Sequence, residues 1–136
     1  MRMCHETVTV FNARTDPDAG DVVYAPTVLR GVSWRGETMS AVTGGGLKAA
    51  DRFTLRIPGD VGAGGKTYAE PGDYAAAGDV SGLWTLRTGD VIVRGEVDDP
   101  GATLAQLRQG REAMTVLGVG DNRQAPNAPH WRVTGE

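Results

Sequence analysis

The chain is short of the residues that staple or power small proteins: its 136 residues include one cysteine, two histidines, three tryptophans, three tyrosines and two phenylalanines. The single cysteine, Cys4, cannot form an internal disulfide, which fits a reducing compartment. Zinc fingers and cysteine-held clusters need several such ligands and are excluded. No run approaches the ~18 apolar residues of a membrane span. Residues 1–6 carry no apolar run behind Arg2, so they do not read as a secretory signal. Charge of one sign is also missing. Fourteen basic and 17 acidic side chains leave a net charge of −3, too little for a self-repelling coil and of the wrong sign to attract nucleic acid or an anionic membrane.

What is present points to strands. Valine occurs 15 times against ten for leucine and isoleucine together, and β-branched side chains suit a pleated sheet. The length allows one domain. Alternation is clearest at Phe53, Leu55 and Ile57, with Thr54 and Arg56 between them. Val8 and Val10 share a face, as do Val91, Val93 and Val97, and residues 115–119 and 131–134 supply two further strands. Residues 28–34 and 38–42 are weaker candidates. Pro58 cannot donate to a ladder, so its strand ends there or lies at an edge. The core expected from this pattern is Val8, Val10, Trp34, Phe53, Leu55, Ile57, Trp84, Val91, Val93, Leu117, Trp131 and Val133.

One short helix is expected near residues 101–110. Pro100 and the acids Asp98 and Asp99 suit its first turn, Gly110 its end, and Leu104 and Leu107 its buried face. The fold class is therefore mainly β: a small barrel or sandwich of about seven strands with that helix and long loops, in a single domain spanning 1–136. Residues 59–82, rich in glycine and carrying Asp60, Glu70, Asp73 and Asp79, read as a flexible loop, and 121–129 as a second long loop.

Chemical motifs fail on inspection. Cys4, His5 and His130 lack both a fourth zinc ligand and an orienting acid. The glycines at 44–46 before Lys48, and those of 62–65 before Lys66, break the spacing of a phosphate loop and read as turns. Asp16, Asp18 and Asp21 have no acid at the twelfth position of an EF-hand (Thr27), and Asp121-Asn122-Arg123 reads as an Asx turn. Trp34-Arg35, Trp84 with Arg87, and Trp131-Arg132 could form an oligonucleotide face, but alternation sends each tryptophan and its adjacent arginine to opposite faces. No catalytic residue, cofactor or metal is implied.

The residues 82–97 (GLWTLRTGDVIVRGEV), 118–123 (GVGDNR) and 129–133 (PHWRV), with 8–14 (VTVFNAR), 31–34 (GVSW) and 47–58, resemble a family of small virion proteins. These are the minor capsid or head-completion (head–tail joining) proteins of tailed phages and prophages of Gram-positive bacteria. The resemblance implies a non-enzymatic structural protein of the neck: a head-closure or connector ring component joining portal to tail, assembled in the bacterial host cytoplasm and retained in the virion. Its partners would be identical copies in a ring, portal or adaptor and tail proteins, and, passively, packaged DNA, with no membrane. Exposure and flexibility nominate Lys66, Tyr68, Tyr74, Asn122 and Arg123 as partner contacts. An OB-like single-stranded nucleic-acid-binding module and a tail-completion or tail-tube protein are the alternatives.

Overall fold

Among the described residues the chain forms eight strands and one helix: β1 (Glu6–Thr15), β2 (Val22–Thr43), β3 (Gly46–Pro58), β4 (Thr67–Tyr68), α1 (Pro71–Ala76), β5 (Leu83–Trp84), β6 (Val91–Arg94), β7 (Ala113–Asn122) and β8 (His130–Gly135). This is a computed structural model, and it describes residues 6–15, 22–43, 46–97, 112–124, 126 and 129–136. The readings at Cys4, His5, Asp16, Asp18, Asp21, Asp98 and Asp99, and the helix expected at 101–110 with Leu104 and Leu107, lie outside those residues. Among the described ones the helix is α1, within the segment read as a loop.

Six strands close an antiparallel barrel in the order β1-β2-β3-β8-β7-β6, with β6 returning to β1 through Val8↔Arg94 to Phe11↔Val91. Closure depends on two long strands that change partners. β2 pairs with β1 over Val22 to Val32 and with β3 over Ser33 to Thr43. The change of partner coincides with a register shift at Glu6/Thr7 and with Gly31, whose φ of 90° suits a residue without a Cβ. β7 does the same, pairing with β6 up to Thr115 and with β8 from Val116, with a register shift between Val116 and Gly118. The result is two four-stranded sheets sharing two strands, the arrangement by which bulged strands turn barrel corners.

The main core fills the barrel with Val8, Val10, Leu29, Val32, Trp34, Leu55, Ile57, Trp84, Leu86, Ile92, Met114, Val116, Trp131 and Val133. A second cluster of Phe11, Val91, Val93 and Ala113 forms apart from it, with Tyr24 and Val97 against it. Each large apolar side chain enclosed in this way contributes roughly 1.5–3 kcal/mol. Two of the expected core positions differ. Phe53 is half-buried, resting on the main core and over Gly36, where a Cβ would lie 3.0 Å from its ring. Leu117 is 49% exposed, because Met114 and Val116 are the residues of β7 that face the main core and Leu117 alternates with them.

The segment 59–82 is built into the barrel instead of hanging from it. Gly59 N–H donates to Pro129 O at 2.9 Å, and Arg30 and Gly62 exchange backbone bonds of 2.9 and 3.3 Å. β4 and β5 pair in parallel, and α1 delivers Tyr74 to a fully enclosed position. At the other end of its sheet the β2–β3 pair runs on past the barrel. β8 accompanies β3 only from Phe53 onward, so Glu37↔Arg52 through Thr43↔Gly46 form a two-stranded ribbon. Its seven residues per strand reach about 23 Å. The Thr43↔Gly46 pair brackets the glycines read as a turn.

Candidate functional site

Four of the five nominated contact residues meet the segment 59–82 or belong to it, and the chemistry there is that of a fastening. Asp121, the residue before the last of β7, opens an Asx turn: its Oδ1 accepts from the Arg123 N–H at 3.1 Å. The turn aims the Arg123 guanidinium back across the barrel end. Its Nε donates to Asp121 Oδ1 at 2.9 Å, and Nη2 donates to Asp121 Oδ2 at 2.7 Å and to Glu70 Oε1 at 2.9 Å. The same guanidinium lies 4.9 Å from the Tyr68 ring centre and 4.8 Å from that of Trp131. One side chain therefore ties the β7–β8 connection to the segment through both charge and π faces.

The aromatic rings continue inward. Tyr68 packs on Trp84 at 5.0 Å and on Trp131 at 4.7 Å, and the two tryptophans meet edge-on at 5.4 Å. Such tilted and T-shaped contacts favour the edge-to-face attraction of aromatic quadrupoles. Burial, and then the Glu70 charge, push the Tyr68 phenol up from its ordinary value. The hydrogen bonds to Asp121 hold Arg123 firmly protonated, and they hold the Asp121 carboxyl below its usual range.

Lys66 is a fastening of the same kind. Its ammonium donates to Pro26 O at 2.7 Å and to Thr27 Oγ1 at 3.1 Å, and burial lowers its pKa. Tyr74 is enclosed, with the Arg87 guanidinium 5.0 Å from its ring centre. It is a core residue of the barrel end and not an exposed contact, because α1 turns the only large side chain of its length inward. Asn122 stays exposed at the end of β7, opposite His130.

A buried polar network that the sequence did not signal lies beneath α1. Asn12 donates to Thr85 O and to Asp90 Oδ2, both at 2.8 Å, and its Oδ1 accepts from Thr85 N–H at 3.2 Å. Asp90 accepts further from Ala13 N–H at 3.0 Å and from Arg87 Nε at 3.2 Å, and Arg87 also donates to Ala13 O. Every bond in the set is spent within the chain, so the network fixes β1 against the connection from β5 to β6. The local sequence carried no mark of it, since Asn12 and Asp90 lie 78 positions apart.

The oligonucleotide face is not assembled at the tryptophans: Trp34, Trp84 and Trp131 are all buried. Among the described residues, no three histidine, cysteine or acidic side chains converge as metal ligands. No described helix is long and apolar enough to cross a membrane. What projects is the β2–β3 ribbon, neither of whose outer edges pairs with another named strand.

The chain belongs to a family of unknown function, DUF6751, whose model matches residues 3–136. No curated protein matches it, and no solved structure does.

Proposed function

We propose that the chain is a non-enzymatic structural protein of the head–tail interface of a tailed phage, a head-closure or connector component that joins portal to tail as one of a ring of identical copies. The resemblance of residues 82–97, 118–123 and 129–133 supplies the class, and the shape supplies the mechanism. A ring subunit works by surface complementarity, so it needs a body that does not deform and an element that reaches its neighbours. The closed barrel, with one end plugged by Tyr74, Trp84 and the Arg123 clasp, is such a body.

The observation that carries the reading is the β2–β3 ribbon, which leaves the barrel with neither outer edge paired to another strand among the described residues. Open strand edges are templates for pairing, and a lone monomer is penalised for them by aggregation. In a ring they find partners by strand addition, where backbone hydrogen bonds give affinity and alternate side chains give specificity. The segment 59–82, read from the sequence as a flexible loop, is already fastened to its own barrel. The assembling element of this account is therefore the ribbon.

The test is localisation. Virions carrying this gene, purified and decorated with gold-labelled antibody against the chain, are expected to show label at a single collar between head and tail. Label along the tail would move the chain to a tail-tube role, and label at the tail's upper end, on tails lacking heads, to tail completion. Virions without the protein would overturn the proposal.

A further inference from the structure

The outer face of the β2–β3–β8 sheet gathers arginines without an ion-pair partner among the described residues. Alternation and register bring Ser33 opposite Arg56, Arg35 opposite Thr54, and Arg56 opposite Arg132. Arg52 continues the row on β3. Ser33, Arg35, Thr54, Arg56 and Arg132 line a groove of about 260 Å³. Each of the five side chains can donate hydrogen bonds, and none is acidic.

The rest of the molecule treats its arginines differently. Arg30 pairs with Glu96 at 2.9 Å, Arg87 with Asp90 at 3.2 Å, Arg94 with Glu6 at 2.9 Å and Glu112 at 2.6 Å, and Arg123 with Asp121 at 2.7 Å and Glu70 at 2.9 Å. Arg35, Arg52, Arg56 and Arg132 have no carboxylate within ion-pair distance among the described residues. Like charges directly opposite on neighbouring strands destabilise a sheet. A chain with three more acids than bases nonetheless concentrates them here.

The acids stand elsewhere. Asp60 and Asp73 are exposed on the segment 59–82, whose single cation, Lys66, is held by Pro26 and Thr27, while Glu70 of the same segment is paired with Arg123. We propose that the arginine groove of one copy docks the carboxylates of this segment on the next copy. Two unlike patches on one chain make a head-to-tail contact, and such contacts close into rings. Nucleic acid is the less suitable occupant. The chain's net charge repels a polyanion at long range, and none of the three tryptophans is open to stack a base. The inference rests on the ring reading and adds, beside the strand pairing of the ribbon, a charged contact in which the fastened segment serves as a fixed docking surface. Exposed ion pairs add little affinity each but set on-rate, register and salt dependence.

Sedimentation velocity of the full chain tests it. The wild type is expected to self-associate at low salt and to dissociate as salt shortens the screening length. Arg56→Glu with Arg132→Glu, and separately Asp60→Arg with Asp73→Arg, should each weaken association by about tenfold or more. All four positions are exposed, so circular dichroism and melting temperature should stay near wild type, and Arg56→Gln with Arg132→Gln provides a milder check on folding. The decisive sample is the mixture of the two reversed variants. Each alone should associate weakly, and together they should regain salt-sensitive association into alternating assemblies, since the reversed groove meets the reversed segment and the two unaltered faces also match. A monomeric wild type, association indifferent to salt and to charge reversal, or a groove whose reversal abolishes duplex DNA binding instead would overturn the interface. These outcomes are separable from those of virion labelling: a solution monomer found at the collar refutes this interface alone, and a self-associating chain absent from virions refutes the neck reading alone.

Discussion

The Arg123 guanidinium lies 4.8 Å from the centre of the Trp131 ring while its Nη2 bonds Glu70, 53 residues away, at 2.9 Å. This contact joins a surface ion-pair network to the aromatic plug of the barrel. Arg123→Ala removes the ion pairs, which solvent screens, and the π contacts with Tyr68 and Trp131, which it screens less. The expected cost is about 1–2 kcal/mol, read by chemical denaturation. Limited proteolysis should then cut within 59–82 sooner than in the wild type. Arg123→Lys should recover only part of the loss, because an ammonium cannot fork between Asp121 and Glu70.

Asn12 is the keystone of the buried network. Asn12→Ala strips the Thr85 backbone N–H and C=O of their partners and leaves Asp90 one donor short. Orphaned buried polar groups cost about 1–3 kcal/mol each. A total loss of roughly 2–4 kcal/mol is expected in equilibrium unfolding, larger than for Arg123→Ala although the side chain is smaller and uncharged.

Two glycines give opposite expectations. A Cβ at Gly135 would sit 2.4 Å from Thr115 O and 2.9 Å from Met114 Sδ, where β7 and β8 close against each other. Gly135→Ala must push strands apart and should cost about 1–3 kcal/mol or prevent folding. Gly82 has open space around a Cβ, so Gly82→Ala should shift the melting temperature little. Parallel thermal melts of the two variants check the pair.

Acid should loosen the same end of the barrel. Hydrogen bonds from Arg123 depress the Asp121 carboxyl in the folded chain. The unfolded chain, with Asp near about 3.9, therefore binds the proton first as pH falls. The stabilisation is complete above that value and is lost as pH drops through the lower, folded one. Asp121→Asn should be less stable than wild type at neutral pH, and the gap should narrow below about pH 4. Melting temperatures of both proteins across that range measure it.

Legibility in the sequence followed the range of the signal. Phe53, Leu55 and Ile57 face one way and Thr54 and Arg56 the other because strand alternation is local, and the opposition of Trp34 to Arg35 and of Trp131 to Arg132 was readable for the same reason. Tyr74 was not, because its burial comes from α1 docking on the barrel end, with no apolar period around it to reveal it. Leu117 points outward because Met114 and Val116 take the inward phase, and apolar residues in both phases of that strand left its facing unreadable. The convergence of Arg35, Arg56 and Arg132 depends on the strand order β2-β3-β8, a property of pairing and not of any segment. Likewise, β2 appeared as two weak strands because Gly31 and Gly36 interrupt the apolar alternation of what is one continuous strand from Val22 to Thr43.

The central claim is a place in the particle, and electron microscopy of particles assembled without this gene addresses it most directly. The account predicts leaking or DNA-filled heads beside complete, unattached tails, restored to joined virions by the wild-type chain. Normal tailed virions in the absence of the gene would contradict it.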